Sequence, residues 1–273
     1  MQKLFFFLII SAIAFSSSAQ DSTQSRSSHR QTKEEQRDAK RQKINALIKQ
    51  SEEGVLIYSK QSIFGVQFRT NGYGAFYELG KMKTNRKTNI YRLDITEIKS
   101  AKEDKLQNIN NIFGNSFVYG KINNFYQVTI GFGQQYILGQ KGNKNGVAVS
   151  AIYNGGVVIG LLRPYYIDVP DPNNSNATIS IKYSQKDSIS FVNGPIIGGA
   201  GLGKGWGEMK MKPGVFAKAA LRFDYGRFNE VVSGIEAGVS IEAYTSKIPI
   251  MLMQKDKQFF FQGYISLLFG RRK

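Results

Sequence analysis

The sequence predicts an all-β protein, an antiparallel transmembrane β-barrel of about 8–10 strands preceded by a short N-terminal helix. Apolar and polar residues alternate with a period of two along many segments between residues 54 and 270, as in strands with one polar face. These segments are close to the length of about 9–11 residues that crosses a membrane obliquely. Aromatic residues crowd the segment ends, where the girdles of membrane barrels lie.

Two consecutive segments show the alternation most clearly. Residues 215–225 (VFAKAALRFDY) carry apolar side chains at every odd position and all their charges at even positions. Residues 230–244 (EVVSGIEAGVSIEAY) repeat the pattern, with Glu236 and Glu242 opposite a face of valine and isoleucine. The pattern favours an apolar face toward lipid and a charged face toward a small lumen. A soluble exported barrel with an oily interior has the same period and is the alternative.

Turn signals order the strands along the chain. Asn71-Gly72 predicts a tight hairpin, and Asn154-Gly155-Gly156 predicts another turn. Tracing back from the C terminus gives about ten strands and leaves residues 99–123 on the side of the chain ends. Since a long connection is unusual on that side of a membrane barrel, eight strands with a different pairing is the alternative.

The longest predicted connection, residues 170–214, is where recognition is expected first, because long loops are commonly functional. It contains a possible hairpin of residues 178–184 with residues 188–192. Its segment GGAGLGKGWGE has the spacing of a phosphate-binding loop, but Gly205 stands where that motif needs Ser or Thr for magnesium. We interpret the segment as a glycine-rich loop with a short helix around residues 206–211.

The first residues have the order of a secretory signal peptide. Lys3 precedes an apolar run of about a dozen residues, and small residues follow near Ala19. The predicted organisation is a signal peptide at 1–19, a disordered linker and short periplasmic helix at 20–53, and the barrel at 54–273. An uncleaved N-terminal helix is the alternative for the first segment. The chain has no cysteine, which excludes disulfides.

The formal net charge of +17 indicates anionic partners. An exported chain seldom meets nucleic acid, so the expected partners are membrane lipid and lipopolysaccharide, and no nucleic acid is expected. Other envelope proteins could bind through loop 170–214 or the N-terminal helix. A charge excess that serves solubility alone is the alternative.

The inventory of catalytic side chains is poor. His29 is the only histidine, it lies in the segment expected to be disordered, and there is no cysteine. Arrangements of Ser with His or Cys with His are therefore missing from the predicted strands, as are transition-metal ligand clusters. The sequence thus predicts no enzyme, no metal and no cofactor.

Charged residues on the polar strand faces are predicted to form ion pairs inside the lumen, which side chains fill in small barrels. A catalytic pair of carboxylates among them is the alternative. The predicted lumen-lining residues are Arg69, Glu78, Arg92, Asp94, Lys218, Arg222, Asp224, Glu236 and Glu242. The same argument groups Glu230 with these carboxylates.

The signal ending in Ala19-Gln20, the polar N-terminal helix, the glycine- and tyrosine-rich strands and the end YISLLFGRRK resemble small outer-membrane β-barrel proteins of Bacteroidetes. The resemblance implies location in the bacterial outer membrane and a non-enzymatic role: structural, interaction, or accessory to envelope assembly or secretion. A small channel for small solutes is the first alternative and a soluble exported ligand-binding barrel the second. A lipid-modifying enzyme is a third class, disfavoured by the missing histidine.

Overall fold

The computed structural model describes residues 35, 37–42, 44–45, 58–107, 115–142, 145–184, 191, 193–227 and 230–273. The chain divides into two compact units, Met1–Lys49 and Gln50–Lys273. In the first unit every described residue has helical backbone, in agreement with the predicted N-terminal helix. The predicted signal peptide lies outside the described residues.

The described elements of the second unit are strands and a short 3-10 helix, Trp206–Glu208, and Phe191 and Asn193 also have helical backbone. The strands are β1 (Lys60–Arg69), β2 (Gly72–Thr84), β3 (Lys87–Ile98), β4 (Lys105–Leu106), β5 (Phe117–Val118), β6 (Asn123–Gly139), β7 (Ala148–Pro164), β8 (Tyr166–Asp171), β9 (Asn174–Lys182), β10 (Gly198–Gly199), β11 (Lys210–Asp224), β12 (Val231–Ile248) and β13 (Lys257–Arg272). Among the described residues no helix is long and apolar enough to cross a membrane.

Eight of these strands form a closed barrel in the order β1-β13-β12-β11-β7-β6-β3-β2. Every neighbouring pair is antiparallel, and β1 closes the ring on β13 with Phe64 opposite Phe269. Closure leaves the barrel without a free edge. The predicted all-β antiparallel barrel is confirmed, at the lower strand number of its range.

The connections differ in length between the two ends of the barrel. The turn end carries the first and last residues of the barrel and the connections 85–86, 140–147 and 225–230. The loop end carries the connections 70–71, 99–122, 165–209 and 249–256. The ten-strand tracing was therefore wrong in placing the stretch after residue 98 on the side of the chain ends, because β3 and β6 are direct neighbours across the loop end.

One local prediction fails because strand pairing is not a local property. Asn154, Gly155 and Gly156 lie inside β7 rather than in a turn. A Cβ on Gly156 would lie 2.2 Å from the Ile130 carbonyl oxygen, so this glycine serves close approach between strands. In the long connection β9 pairs with β8, and of residues 188–192, the predicted hairpin partner, only Phe191 is among the described residues. Asn71-Gly72 does connect paired strands, β1 and β2.

The polarity of the barrel is inverted relative to a soluble protein. Charged and amide side chains are buried inside, and the exposed outer face is apolar. The exposed outer residues on β1, β3, β12 and β13 include Phe64, Val66, Phe68, Tyr91, Leu93, Ile95, Val231, Ile235, Val239, Ile241, Phe259, Phe261, Ile265, Leu267 and Phe269. A continuous band of this kind is far larger than the apolar patches of soluble monomers. The middle of the interior is lined by charged and amide side chains and is not apolar.

Glycines on the inner face make room for large side chains. Gly131 on β6 faces the ring of Phe216, and an added Cβ would lie 2.7 Å from Phe216 Cζ. Phe216 belongs to an apolar cluster with Phe125, Tyr244 and Phe260 that fills the interior toward the loop end. Gly139 ends the same strand with nothing within 4 Å of an added Cβ.

Gly131→Val should therefore destabilise the barrel by about 1–3 kcal/mol through overpacking against Phe216. Gly139→Val is the matched control and should change stability by less than about 0.5 kcal/mol. Thermal unfolding followed by circular dichroism measures both. Equal stability of the two variants would contradict this packing.

Candidate functional site

The centre of the barrel interior is organised around Arg222. Arg222 is 1% exposed and lies on β11. Its Nη1 and Nη2 each donate to an oxygen of Glu78 at 2.7 Å, and Nη2 also donates to Glu236 Oε2 at 2.6 Å. This two-point geometry fits the planar guanidinium fork and joins three strands through one side chain.

Arg92 continues the network on the other side of Glu236. Its Nη1 donates to Glu236 Oε1 at 2.7 Å, and its Nε donates to Asp94 Oδ1 at 3.1 Å. Its guanidinium carbon lies 3.6 Å from the ring centre of Phe76, a cation–π contact inside the lumen. Lys218 Nζ reaches Asp94 Oδ1 at 2.9 Å.

Two further ion pairs lie above and below this centre. Toward the loop end, Arg69 Nη2 donates to Glu242 Oε1 at 2.5 Å. Toward the turn end, Arg272 Nη2 donates to Asp224 Oδ2 at 2.6 Å, and Lys141 lies 3.6 Å from the same carboxylate. The interior therefore carries ion pairs at three levels along the barrel axis.

The structure places all nine sequence-predicted lumen residues inside the barrel and buried. It brings Glu78, Arg92, Asp94, Lys218, Arg222 and Glu236 into one network, and it places Arg69 with Glu242 and Asp224 with Arg272. Glu230 is exposed in the connection before β12, so its grouping with the interior carboxylates was wrong.

Sequence reasoning missed several interior partners. Arg272 is the partner of Asp224, because β13 continues through it to the end of the barrel. Uncharged partners were missed as well, because only charged residues on the polar strand faces were considered. They share the inner face with the predicted residues and include Gln61, Gln67, Gln127, Thr129, Gln135, Ser240, Gln262 and Tyr264. Strand parity was the signal that could have found them.

The carboxylates of this interior are neutralised by ion pairs with buried cations. Six cations (Arg69, Arg92, Lys141, Lys218, Arg222 and Arg272) face five carboxylates (Glu78, Asp94, Asp224, Glu236 and Glu242), and each carboxylate lies within ion-pair distance of a cation. Glu78 and Glu236 are held by the same arginine rather than by a shared proton, which disfavours the catalytic carboxylate pair. Within the described part of the chain, no three His, Cys, Asp or Glu side chains could hold a metal ion together.

Toward the loop end the interior becomes apolar. The rings of Phe125, Tyr244 and Phe260 lie with their centres 5.5–5.8 Å apart. Tyr244 links this layer to the polar one below it, because its hydroxyl is 3.0 Å from Gln127 Oε1. The packed rings close the lumen above the ion pairs.

The glycine-rich segment has no phosphate-binding architecture. Gly198 and Gly199 form β10, which pairs with β8, and Gly205 at φ 87° precedes the single-turn 3-10 helix. The predicted helix in this segment is thus shorter than expected. The segment closes over the barrel wall, since Arg163 Nη1 donates to the Leu202 carbonyl at 2.9 Å.

A cleft of about 540 Å³ lies between that wall and the loop-end connections. Its lining includes Tyr73, Glu97, Lys99, Glu103, Lys105, Asn115, Lys121, Asn124, Arg163, Tyr165 and Leu202. The connections around it are tied together: Val118 N–H donates to the Tyr165 hydroxyl at 3.0 Å, and Gly199 N–H donates to the Asn115 carbonyl at 3.1 Å. Burial raises the pKa of Tyr165, with the Val118 hydrogen bond opposing the rise.

No protein-family model matches the chain, and no curated protein is similar to it in sequence. Solved structures of similar fold include three bacterial proteins. The attachment invasion locus protein Ail of Yersinia pestis, in complex with the heparin analogue sucrose octasulfate, is 13% identical, with a TM-score of 0.40 over 80% of this chain and 100% of that one. Neisserial surface protein A is 9% identical, with a TM-score of 0.37 over 78% and 96%.

The N-terminal β-barrel domain of Pseudomonas aeruginosa OprF is 9% identical, with a TM-score of 0.34 over 78% of this chain and 98% of that chain. These identities and scores are too low to transfer a function. None of the three comes from Bacteroidetes, so the resemblance to barrels of that group stays a prediction beyond the barrel architecture itself.

Arg222→Met should destabilise the barrel by about 3–5 kcal/mol, because it leaves Glu78 and Glu236 buried without their shared cation. Adding Glu78→Gln should recover part of this loss, since it removes one of the stranded charges. Arg271→Met, at an exposed position near the end of β13, is the control and should be close to neutral. Denaturant unfolding measures all three. An Arg222→Met variant as stable as the control would show that the network is dispensable.

Proposed function

We propose that this chain is a bacterial outer-membrane β-barrel with a non-enzymatic, structural or interaction role. The single observation that carries the proposal is the inverted polarity of a closed barrel, charged inside and apolar outside. In water such an outer face would cost free energy in proportion to its area, whereas lipid removes that cost. The residues before 20 serve as the export signal in this proposal.

The height of the apolar band supports the membrane assignment. On β13 the exposed outer residues run from Phe259 to Phe269. At about 3.3 Å per residue and a tilt of about 40°, this stretch spans about 25 Å along the barrel axis. That height equals the apolar band of outer-membrane barrels, about 25 Å.

The lengths of the connections support an orientation. Outer-membrane barrels have short periplasmic turns and longer extracellular loops. The turn end, with both chain ends of the barrel, is accordingly periplasmic in our proposal, and connections 99–122 and 165–209 face the outside. The predicted role of loop 170–214 as an interaction surface fits this orientation.

Contacts among the connections support an interaction role at the loop end. Hydrogen bonds and short strand pairs order them against the barrel wall. Yet Leu202, Trp206 and Met253 remain more than half exposed on these connections. Exposed apolar side chains on an ordered surface are typical of contact sites for other macromolecules. Envelope proteins and lipopolysaccharide are the partners we propose, with an accessory role in envelope assembly or secretion as one form of this interaction.

A small channel is the second candidate, and the packed interior disfavours it. The ion pairs around Arg222 and the rings of Phe125 and Tyr244 occupy the lumen at successive levels. Stepwise conductance in a planar bilayer would favour the channel. A soluble ligand-binding barrel is disfavoured because the interior it needs is occupied by charged side chains.

The proposal is tested by comparing unboiled and boiled samples of an outer-membrane fraction on a denaturing gel. A closed detergent-resistant barrel should run faster when unboiled. The same protein in the soluble periplasmic fraction, without a shift, would overturn the proposal.

Val239→Arg should lower the stability of the membrane-inserted barrel by about 2–4 kcal/mol, because it places a charge in the middle of the apolar band. Val231→Arg is the matched control, since it makes the same change at the start of the same strand. The two valines are similarly exposed, at 44% and 42%, but the control should cost only about 0–1 kcal/mol at the band edge. Equal effects on the temperature at which the fast-running band disappears would contradict a lipid-facing wall.

A further inference from the structure

The cleft at the loop end lies on the outer side of the barrel wall. Four strands supply its wall residues: Tyr73 near the start of β2, Glu97 near the end of β3, Asn124 near the start of β6 and Arg163 near the end of β7. Each lies on the outward face of its strand by parity, as Glu97 does with the exposed Ile95. Residues between 99 and 105, between 115 and 121, and between 199 and 202, together with Tyr165, form the opposite side.

Arg163 is the unusual member of this cleft. It is 3% exposed, and it contacts the Leu202 carbonyl and the rings of Trp206 and Tyr126, whose centres lie 4.7 and 5.6 Å from its guanidinium carbon. Its Nε is buried without a hydrogen-bond partner, and no carboxylate of the described residues lies within ion-pair distance. A buried guanidinium without a carboxylate is costly unless an anion complements it.

The cleft as a whole carries an excess of positive charge. Four cations (Lys99, Lys105, Lys121 and Arg163) line it with two carboxylates (Glu97 and Glu103), an excess of two positive charges. Both carboxylates are engaged: Glu103 binds Lys121 at 2.6 Å, and Glu97 accepts from the Tyr73 hydroxyl at 2.6 Å. Lys99 Nζ lies 4.8 Å from the centre of the Tyr73 ring, and no carboxylate of the described residues lies within ion-pair distance of it.

The apolar band begins directly beneath these cations. Toward the turn end, Glu97 is followed on its face by Ile95, and Arg163 is followed by Leu161 and Ile159. Ile95 and Ile159 are exposed on the outer wall. A soluble anion would use only the cationic rim. A molecule with an anionic head and acyl chains would satisfy the rim and the wall together.

We propose that this cleft binds the phosphorylated headgroup of a membrane lipid, with Arg163 and Lys99 on the phosphate and the acyl chains along the wall at Ile95 and Ile159. Arginine fits a phosphate with two parallel hydrogen bonds, and a lysine adds a point charge. The site rests on the membrane insertion proposed above. In this proposal the expected contact with lipopolysaccharide lies at the cleft, on one side of the barrel.

The test is native mass spectrometry of the full mature barrel in detergent, titrated with diphosphorylated lipid A. The double variant Arg163→Gln/Lys99→Gln should weaken binding by about tenfold or more, because charge-assisted hydrogen bonds are lost. Lys81→Gln/Lys83→Gln removes two exposed charges at the turn end and should bind within about twofold of the unchanged protein. Dephosphorylated lipid A should bind the unchanged protein about tenfold more weakly as well.

Three outcomes would overturn the site: equal loss in both double variants, equal binding of dephosphorylated lipid A, or equally tight binding of water-soluble glucosamine 1-phosphate. The last would assign the cleft to a soluble anionic sugar. If the Arg163 variant does not fold, Lys99→Gln alone, which changes an exterior residue, still tests the phosphate contact. A barrel that shifts on the gel but shows no phosphate dependence contradicts only this site, whereas a barrel that never enters membranes contradicts the proposed function.

Discussion

The ion pairs between Arg222 and the carboxylates of Glu78 and Glu236 are the constraint on which the rest of the structure depends. Charges on alternate residues can be buried only if opposite charges meet them, and a closed ring of eight strands brings them within hydrogen-bond distance. Since these charged residues occupy the inner face, the apolar residues that alternate with them must lie on the outer face. Closure then removes the free edges that lipid would not tolerate. The inner network and the outer apolar band are two consequences of one alternating pattern.

The sequence allows the two faces of each strand to be predicted, because period two is a local property that Lys218, Arg222 and Asp224 display directly. Strand pairing is not local, and there the predictions failed. Asn154-Gly155-Gly156 looks like a turn, yet these glycines lie inside β7, where Gly156 meets Gly131 of β6. The partner that requires a small residue there lies more than twenty positions away. For the same reason the ion pairs could be grouped by sign but not assigned to partners.

The candidate cleft could not be predicted from the sequence, for a related reason. Arg163 falls on the outer face by parity, where a charge has no evident use, and only the folded connections reveal that Leu202 and Trp206 cover it. The excess of basic residues indicates anionic partners in general, and our proposal gives part of it a specific place at the edge of the apolar band. The arginines of the lumen are neutralised by carboxylates, whereas we propose that Arg163 of the cleft is neutralised by the phosphate of a bound lipid.

The central claim is that the apolar face of the barrel contacts lipid, and spin labelling along β12 tests it most directly. The chain has no cysteine, so single cysteines at Ile235, Ala237, Val239, Ile241 and Thr245 can be labelled cleanly in the reconstituted protein. Collision with oxygen, which dissolves in lipid, is compared with collision with a water-soluble nickel chelate. We expect the ratio to peak near Val239 and to fall toward Thr245. A flat profile, with the nickel chelate reaching Val239 as freely as Thr245, would show that this face contacts water.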